Sequence, residues 1–273
     1  MSRSGAGRLF AVVAIFILID IVYSLISGKM LSLTSLTSSL LTGITLGFII
    51  AWLIGRMRLR RLHALLLIWI DLYVIMFFSN ILEGYFFTMV FSSLNVFAIA
   101  ISTPLAVTLI EACSAAALLP AGDRSLSTLL KEHISSRSLG SWVKRIIAGS
   151  IIYFPIYLFF GMLVYPLVAD YYSNPAAGLR VPGFEVIIPL ELFRGFLYVI
   201  VLLPVVASLR EDHKTSFTAI FLMLFIIGAF IPLTTPPSLP PEVIPFHLVE
   251  LLADSLVYGF ALSRILSRPK LGP

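Results

Sequence analysis

The sequence predicts an all-α polytopic membrane protein, a single bundle of about eight transmembrane helices with both termini in the cytoplasm. Hydrophobic residues make up 59% of the 273 residues and charged residues only 12%, whereas an ordinary soluble domain is about 25% charged. Apolar runs of about 20 residues, long enough to cross a hydrocarbon core of about 30 Å, recur along the whole chain. We therefore expect residues 1–273 to form one transmembrane domain.

Polar segments and segments rich in Pro or Gly separate the apolar runs and set the boundaries of the spans. The basic start of the chain is typical of a secretory signal, but the apolar run behind it contains Asp20 and lacks a cleavage pattern of small residues, so it is interpreted as the first span. The stretch 64–120 is too long for one helix and fits two, with a turn near residues 91–95. The predicted spans are 8–27, 36–55, 64–88, 94–119, 146–169, 186–208, 216–234 and 244–264.

The distribution of positive charge predicts the orientation, because Lys and Arg are retained on the cytoplasmic side of short loops. With a cytoplasmic N-terminus and eight spans, all but three of the 19 Lys and Arg residues fall in cytoplasmic segments. The exceptions are Lys29 and Arg180 in outer loops and Arg194 within a span. The expected location is the cell membrane, with the lipid bilayer as partner. The net charge of +5 is explained by these loops, so nucleic-acid binding is not expected.

The longest cytoplasmic loop, residues 121–145, has the pattern of a helix lying on the membrane surface. Its apolar residues recur at helical intervals beside Lys131 and Arg137. This segment either joins two halves of the bundle or docks a partner. The outer loops 170–185 and 234–245 are rich in Pro and Gly, which predicts stiff connectors or a lid.

The spans contain nine ionisable residues, and each costs at least about 2.5 to 3.5 kcal/mol to insert in hydrocarbon. In the last span, spacings of three and four place the ionisable residues on one helical stripe. Asp20 and Glu111 stand alone on their spans, and Asp71 lies twelve residues from Glu83 on the third span; for these three, the sequence indicates polar contacts between helices. The other six are Glu83, Glu191, Arg194, His247, Glu250 and Asp254.

These six residues form the candidate binding site. A rise of 1.5 Å per residue puts Glu191 and Arg194 roughly 8 and 12 Å below the outer boundary, and His247 and Glu250 roughly 5 and 9 Å below it. Glu83 lies near the outer end of the third span, so three helices bring charges to the same outer layer.

Arg194 keeps its proton in any surroundings, so its burial requires an anion from Glu191, Glu250 or Glu83. We expect the stripe of His247, Glu250 and Asp254 to face the bundle and Arg194. Leu248, Leu252 and Leu256 should then occupy other faces of the last span.

The sequence leaves three functions open. The first is a small permease or a lipid- or anion-handling protein, in which Arg194 binds a small anionic or lipid ligand while His247 and Glu250 handle a proton. The second is an intramembrane hydrolase or transferase that uses His247 with Glu191 or Glu250, with or without a metal. The third is a membrane scaffold or accessory subunit without catalysis.

Motif signatures do not choose between these functions. The chain has no H-E-x-x-H sequence, no P-loop and no Lys in the last span for a Schiff base, so the motifs leave any cofactor unknown. A His with three carboxylates can ligate a divalent cation, but no diagnostic spacing assigns a metal site. The single cysteine, Cys113, excludes an internal disulfide and a cage of cysteines around a metal.

Overall fold

The computed structural model describes residues 3–26, 30, 32–91, 93–209, 213–234 and 239–267, and the regular elements in these ranges are helices. A single turn of 3₁₀ helix, Pro175–Ala177, lies in the loop between the sixth and seventh of the nine principal helices. The nine principal helices are α1 (Arg3–Ile26), α2 (Leu33–Ile54), α3 (Arg61–Phe87), α4 (Leu94–Leu118), α5 (Leu126–Ile134), α6 (Leu139–Ser173), α7 (Phe184–Ser208), α8 (His213–Thr234) and α9 (Ile244–Leu266).

Among the described residues, seven helices are long and apolar enough to cross a membrane: α1, α2, α3, α4, α6, α7 and α8. The architecture is therefore that of a helical membrane protein. The eighth predicted span corresponds to α9, whose 23 residues extend for about 35 Å. The count of eight spans and the cytoplasmic placement of the termini stay predictions. Four charges used to orient the chain lie outside the described residues: Lys29, Arg210, Arg268 and Lys270.

Much of the segment 121–145, which the sequence predicts as a cytoplasmic interfacial loop, is helical. Only α5 forms a separate helix, and α6 begins at Leu139, seven residues before the predicted span, because the Ser138 side chain caps its first turn. Leu129 of α5 is fully buried and α5 packs against α7. The Trp142 indole of α6 donates a hydrogen bond to the Ile134 carbonyl. Contacts with α6 and α7 therefore hold α5 against one end of the helix bundle.

Basic residues at this end of the bundle satisfy carbonyl groups where helices end. Arg145 of α6 donates to the Ile265 carbonyl oxygen at 2.6 Å, and Arg137, just before α6, donates to the Ser267 carbonyl oxygen at 3.2 Å. The His133 Nε2 atom lies 2.8 Å from the Leu266 carbonyl oxygen. The last carbonyls of a helix lack intrahelical donors and carry partial negative charge, so cationic donors stabilise this end of α9.

Helices α6, α7 and α9 pack closely because small residues lie at their contacts. The glycines Gly149 of α6 and Gly195 of α7 leave room for direct backbone approach, which is the usual basis of helix association in membranes. The Tyr258 hydroxyl of α9 donates to the carbonyl oxygens of both glycines, at 3.1 and 3.3 Å. Helices α3 and α8 complete this inner group, while α1, α2 and α4 pack beside it.

Two π-helical segments, Leu72–Phe78 in α3 and Leu222–Phe230 in α8, lie against each other. Pro232 has no N–H group, so it cannot donate to the Gly228 carbonyl four residues earlier. The Asn80 side chain of α3 donates to that oxygen instead, at 2.7 Å. This hydrogen bond joins α3 to α8 one turn before Glu83. Single π turns are frequent at functional sites.

Replacing Gly195 with Ala should destabilise the bundle. The new Cβ atom would collide with the Ser150 carbonyl oxygen of α6 and lie 2.9 Å from Tyr153 Cβ, so α6 and α7 must separate. Overpacking of this kind costs about 1 to 3 kcal/mol. We expect a lower midpoint of thermal unfolding in detergent. Gly140→Ala is the control, because its new Cβ meets no atom within 4 Å; equal stability of the two variants would contradict the close contact.

Candidate functional site

The buried cation of the site is Arg194 of α7, which is 2% exposed. Its Nη1 atom donates to both carboxylate oxygens of Glu191, at 2.8 and 3.1 Å. Its Nη2 atom lies 2.8 Å from Glu83 Oε2 of α3 and donates to the Tyr198 hydroxyl at 3.3 Å. The predicted contact with Glu191 is confirmed. Two carboxylates from two helices therefore hold one guanidinium.

The spacing of residues in α7 explains part of this arrangement. Glu191, Arg194 and Tyr198 follow each other at intervals of three and four, so a helix places them on one face. Tyr153 of α6 lies opposite this face, with its ring centre 5.7 Å from the Arg194 Cζ atom. The rings of Tyr153 and Tyr198 meet edge to face at 5.2 Å. Aromatic faces stabilise a desolvated guanidinium, so this shell supports the ion pair.

A second polar group lies at the start of α9. His247 Nδ1 is 2.9 Å from Glu250 Oε2, and His247 Nε2 is 3.2 Å from the Tyr172 hydroxyl of α6. In the neutral ring with its proton on Nδ1, Nδ1 donates to the carboxylate and Nε2 accepts from the tyrosine hydroxyl; a protonated ring donates from both nitrogens. The three side chains thus form a hydrogen-bonded chain that links α6 and α9.

The polar stripe of α9 faces the interior, as predicted. Glu250 is 6% exposed and Asp254 is 3% exposed, whereas Leu256 on another face is 41% exposed. Both carboxylate oxygens of Asp254 are buried without a hydrogen-bond partner among the described residues, as is Nε of Arg194. Asp254 is therefore a buried acceptor with unused capacity beside the ion pair.

A cavity of about 400 Å³, here called the wide cavity, opens between α3, α6, α8 and α9. Its polar lining includes Glu83, His247, Glu250 and Tyr172, while most of its wall is apolar. Next to it lies a narrow cavity of about 40 Å³, lined by Arg194, Asp254 and three tyrosines. Both cavities are lined by Glu83, so the two spaces adjoin at this carboxylate. The residues they share are Asn80, Glu83, Gly228, Ala229 and Leu251.

The loop between α6 and α7 forms one wall of the wide cavity. The Met89 N–H donates to the Gly178 carbonyl and the Arg180 N–H to the Phe87 carbonyl, both at 2.9 Å. The Arg180 side chain donates to the carbonyl oxygens of Tyr85 and Phe86 at the end of α3. This predicted outer loop is therefore tied to α3. Leu179 and Val181 of the same loop line the cavity.

The structure brings the six predicted site residues together but gives them different positions. Glu83 lines both cavities, His247 and Glu250 line the wide one, and Arg194 and Asp254 line the narrow one. Glu191 is fully buried behind Arg194 and is absent from both linings. The site therefore consists of an accessible acidic surface and an ion pair beneath it.

The three acidic residues of the spans that were not assigned to the site, Asp20, Asp71 and Glu111, lie elsewhere. Asp71 of α3 is buried, and neither of its oxygens has a hydrogen-bond partner among the described residues. Glu111 of α4 is also buried and lies within electrostatic range of Asp20 of α1. None of the three lines either cavity. In the described part of the chain, no group of three or more His, Cys, Asp or Glu side chains is placed to hold a metal ion.

Sequence reasoning missed the contribution of α6 to the site. Tyr153, Tyr157 and Gly161 recur at intervals of four, which places them on one face of α6. Tyr157 and Gly161 line the wide cavity and Tyr153 the narrow one. This periodicity was a usable signal. No such signal links Tyr172 to His247, because their contact joins residues 75 positions apart.

Comparison with known proteins adds no assignment: the chain matches no protein family, no curated protein and no solved structure. Its function is therefore argued from the site.

Replacing Arg194 with Met should cost more stability than replacing Arg194 and Glu191 together. The single change leaves the Glu191 carboxylate buried without its cation, a situation that costs about 3 to 5 kcal/mol. Adding Glu191→Gln removes the unpaired charge and should recover part of the loss. Thermal unfolding of the purified variants in detergent measures both effects. Arg264→Met, at the far end of α9, is the control; a double variant less stable than Arg194→Met would contradict the ion-pair account.

Proposed function

We propose that this protein binds a small amphiphilic molecule in the wide cavity and handles it within the membrane, as a small permease or a lipid-handling protein does. The observation that carries the proposal is a cavity of about 400 Å³ with an apolar wall and polar groups at one pole. Small-molecule sites are typically about 300 to 1,000 Å³, mostly apolar, with a few polar groups that orient the ligand. A fully closed bundle would instead have favoured the scaffold hypothesis.

The lining matches a ligand with two chemically different ends. Leu158, Met162 and Val168 of α6 offer apolar contacts, and methionine adapts to ligands of different shape. Glu83 and Glu250 converge on the same space from α3 and α9. An apolar tail along α6 would therefore place a polar headgroup against these carboxylates.

The geometry gives Arg194 a structural part in this proposal. The expectation that it grips an anionic ligand finds no support, because its two terminal nitrogens are already engaged by Glu191, Glu83 and Tyr198. Arg194 also lines the narrow cavity and not the wide one. Its role is to hold Glu83 at the cavity wall and to join α3 to α7.

The chain of Tyr172, His247 and Glu250 supplies a group able to exchange protons. Histidine changes its charge near neutral pH, and its two ring nitrogens here contact a carboxylate and a hydroxyl. His247 and Tyr172 both line the wide cavity. Movement of a ligand can therefore be coupled to protonation of His247.

Filling the wide cavity should weaken ligand binding without unfolding the protein. A Cβ atom at Gly161 would lie 3.2 Å from Glu250 Oε1, so Gly161→Leu places a side chain at the polar pole. We expect at least about tenfold weaker binding of a fluorescent decyl amphiphile with an uncharged headgroup, measured on purified protein in lipid nanodiscs. A tenfold change corresponds to about 1.4 kcal/mol.

Leu158→Trp on the same wall is the second variant, which guards against a folding defect at Gly161. Gly140→Leu is the matched control, since a Cβ atom there meets nothing within 4 Å. Binding by both filled variants at wild-type affinity, with normal thermal stability, would show that the wide cavity is not the site.

A second candidate function is an intramembrane hydrolase or transferase. The specific observation in its favour is the chain Tyr172–His247–Glu250, in which a carboxylate orients a histidine whose other nitrogen contacts a hydroxyl. This is the arrangement required of a general base beside a hydroxyl nucleophile. The metal-dependent form of the hypothesis has no supporting ligand cluster among the described residues.

His247→Gln separates the two candidate functions. General acid–base catalysis contributes about 10²- to 10⁴-fold to a rate, so an enzyme should lose that factor while still binding its substrate. We expect a radiolabelled decyl ester to be recovered intact after incubation with wild-type protein, as analysed by thin-layer chromatography. Cleavage that disappears in His247→Gln and in Tyr172→Phe would instead establish the enzymatic function.

A further inference from the structure

We infer that the headgroup accepted by the wide cavity is cationic, so that the ligand is an amphiphilic amine or quaternary ammonium compound. This inference rests on the proposed function, namely that the wide cavity binds an amphiphile, and adds the sign of the headgroup charge. Four observations carry it: the charge balance of the ion pairs, the identity of the groups that reach the cavity, a buried carboxyl group below them whose oxygens have no hydrogen-bond partner in the described part of the chain, and the aromatic lining.

The ion pairs of the site contain more carboxylates than cations. Arg194 is paired with both Glu83 and Glu191, and His247 is paired with Glu250. With the three carboxylates ionised and His247 protonated, these five groups carry one net negative charge, and a neutral His247 raises it to two. Apolar walls concentrate such a field because they screen charge poorly. With ionised carboxylates, the pole of the wide cavity is therefore negative in either protonation state of His247.

The carboxylates, and not the arginine, reach the wide cavity. The Glu83 side chain is 27% exposed, and its Oε2 atom is paired with Arg194. A carboxylate has about four acceptor positions, so Glu83 can still accept hydrogen bonds from a ligand. Glu250 commits Oε2 to His247, and its Oε1 faces Gly161, which lines the cavity. The described lining contains no Lys or Arg. An anionic headgroup would thus meet two carboxylates without a permanent cation to pair with.

The narrow cavity adds a further acceptor below this pole. Asp254 is more than nine-tenths buried, and both of its oxygens lack a hydrogen-bond partner within the described ranges of the chain. It lines the narrow cavity, which adjoins the wide cavity at Glu83 and Asn80. An unsatisfied buried acceptor is costly, so a donor or a positive charge brought to this position is favoured.

Aromatic rings surround the same space. Tyr157, Tyr165, Tyr172, Phe87 and Phe184 all line the wide cavity. The negative face of an aromatic ring attracts a cation, most strongly when the cation is desolvated. Rings of this kind bind quaternary ammonium groups, which cannot donate hydrogen bonds. The lining is therefore suited to amines and to quaternary ammonium ions alike.

The test compares three ligands that share a decyl tail: decyltrimethylammonium, decyl maltoside and decyl sulfate. Each competes with the uncharged fluorescent decyl probe for protein in nanodiscs of zwitterionic lipid, and empty nanodiscs correct for partition into lipid. We expect the cation to compete at least about tenfold better than the neutral ligand, and decyl sulfate to compete least. Glu250→Gln should remove most of this preference while leaving the Arg194 ion pairs in place.

Glu83→Gln provides a second variant, and Asp71→Asn is the matched control, since Asp71 is a buried carboxylate of α3 that lines neither cavity. Equal competition by the three ligands, or stronger competition by decyl sulfate, would overturn the inference and leave the amphiphile site standing. Failure of the uncharged probe itself to bind would overturn the proposed function as well. An unchanged preference for the cation in both Glu variants would also overturn the inference, because the preference would then have another origin.

Discussion

The arrangement of the inner helices depends on the burial of Arg194. A guanidinium retains its charge at any physiological pH, so it must bring anions with it into the bundle. Glu191 comes from the same helix, one turn away, and Glu83 comes from α3. The second of these contacts sets the rotation and depth of α3 relative to α7. It also explains why Glu83 stands at the boundary between the two cavities.

Close backbone approach provides the rest of the framework. Gly149 and Gly195 bring α6 and α7 together, and Tyr258 joins both to α9 through their carbonyl oxygens. The π segments of α3 and α8 meet where Asn80 replaces the donor that Pro232 lacks. Each of these contacts satisfies a polar backbone group inside an apolar bundle, where an unsatisfied group costs several kcal/mol.

This framework separates two sets of charges with different physical roles. Arg194 and Glu191 form a buried ion pair beside aromatic rings, so they contribute to the position of the helices. Glu83, Glu250 and His247 face a space large enough for a ligand. The proposal of an amphiphile site follows from Glu83, Glu250 and His247, which face the wide cavity. The inferred positive charge of the ligand headgroup follows because Arg194 is already paired and leaves these carboxylates to meet the ligand.

Local periodicity is what the sequence by itself determined. The composition and apolar runs identify a helical membrane protein, and intervals of three and four place Glu250 and Asp254 on one buried face of α9 and Glu191 beside Arg194 on α7. These features depend on one helix at a time, and the 3.6-residue repeat governs them. The tyrosines of α6 follow the same helical repeat, so their shared face was predictable from the sequence. By contrast, Ser138 starts α6 earlier than its hydropathy indicates, because a capping hydrogen bond and not an apolar run sets that boundary.

Tertiary structure alone decided which helices meet and at what rotation. The choice of Glu83 over Glu250 as the second partner of Arg194, the contact of Tyr172 with His247, and the cavity between α3, α6, α8 and α9 all join residues far apart in the chain. Their positions depend on glycine contacts, on the π segments and on the loop that Arg180 ties to α3. Such contacts are properties of packing between helices, and a spacing along one helix carries no information about the side chain that another helix will place opposite it.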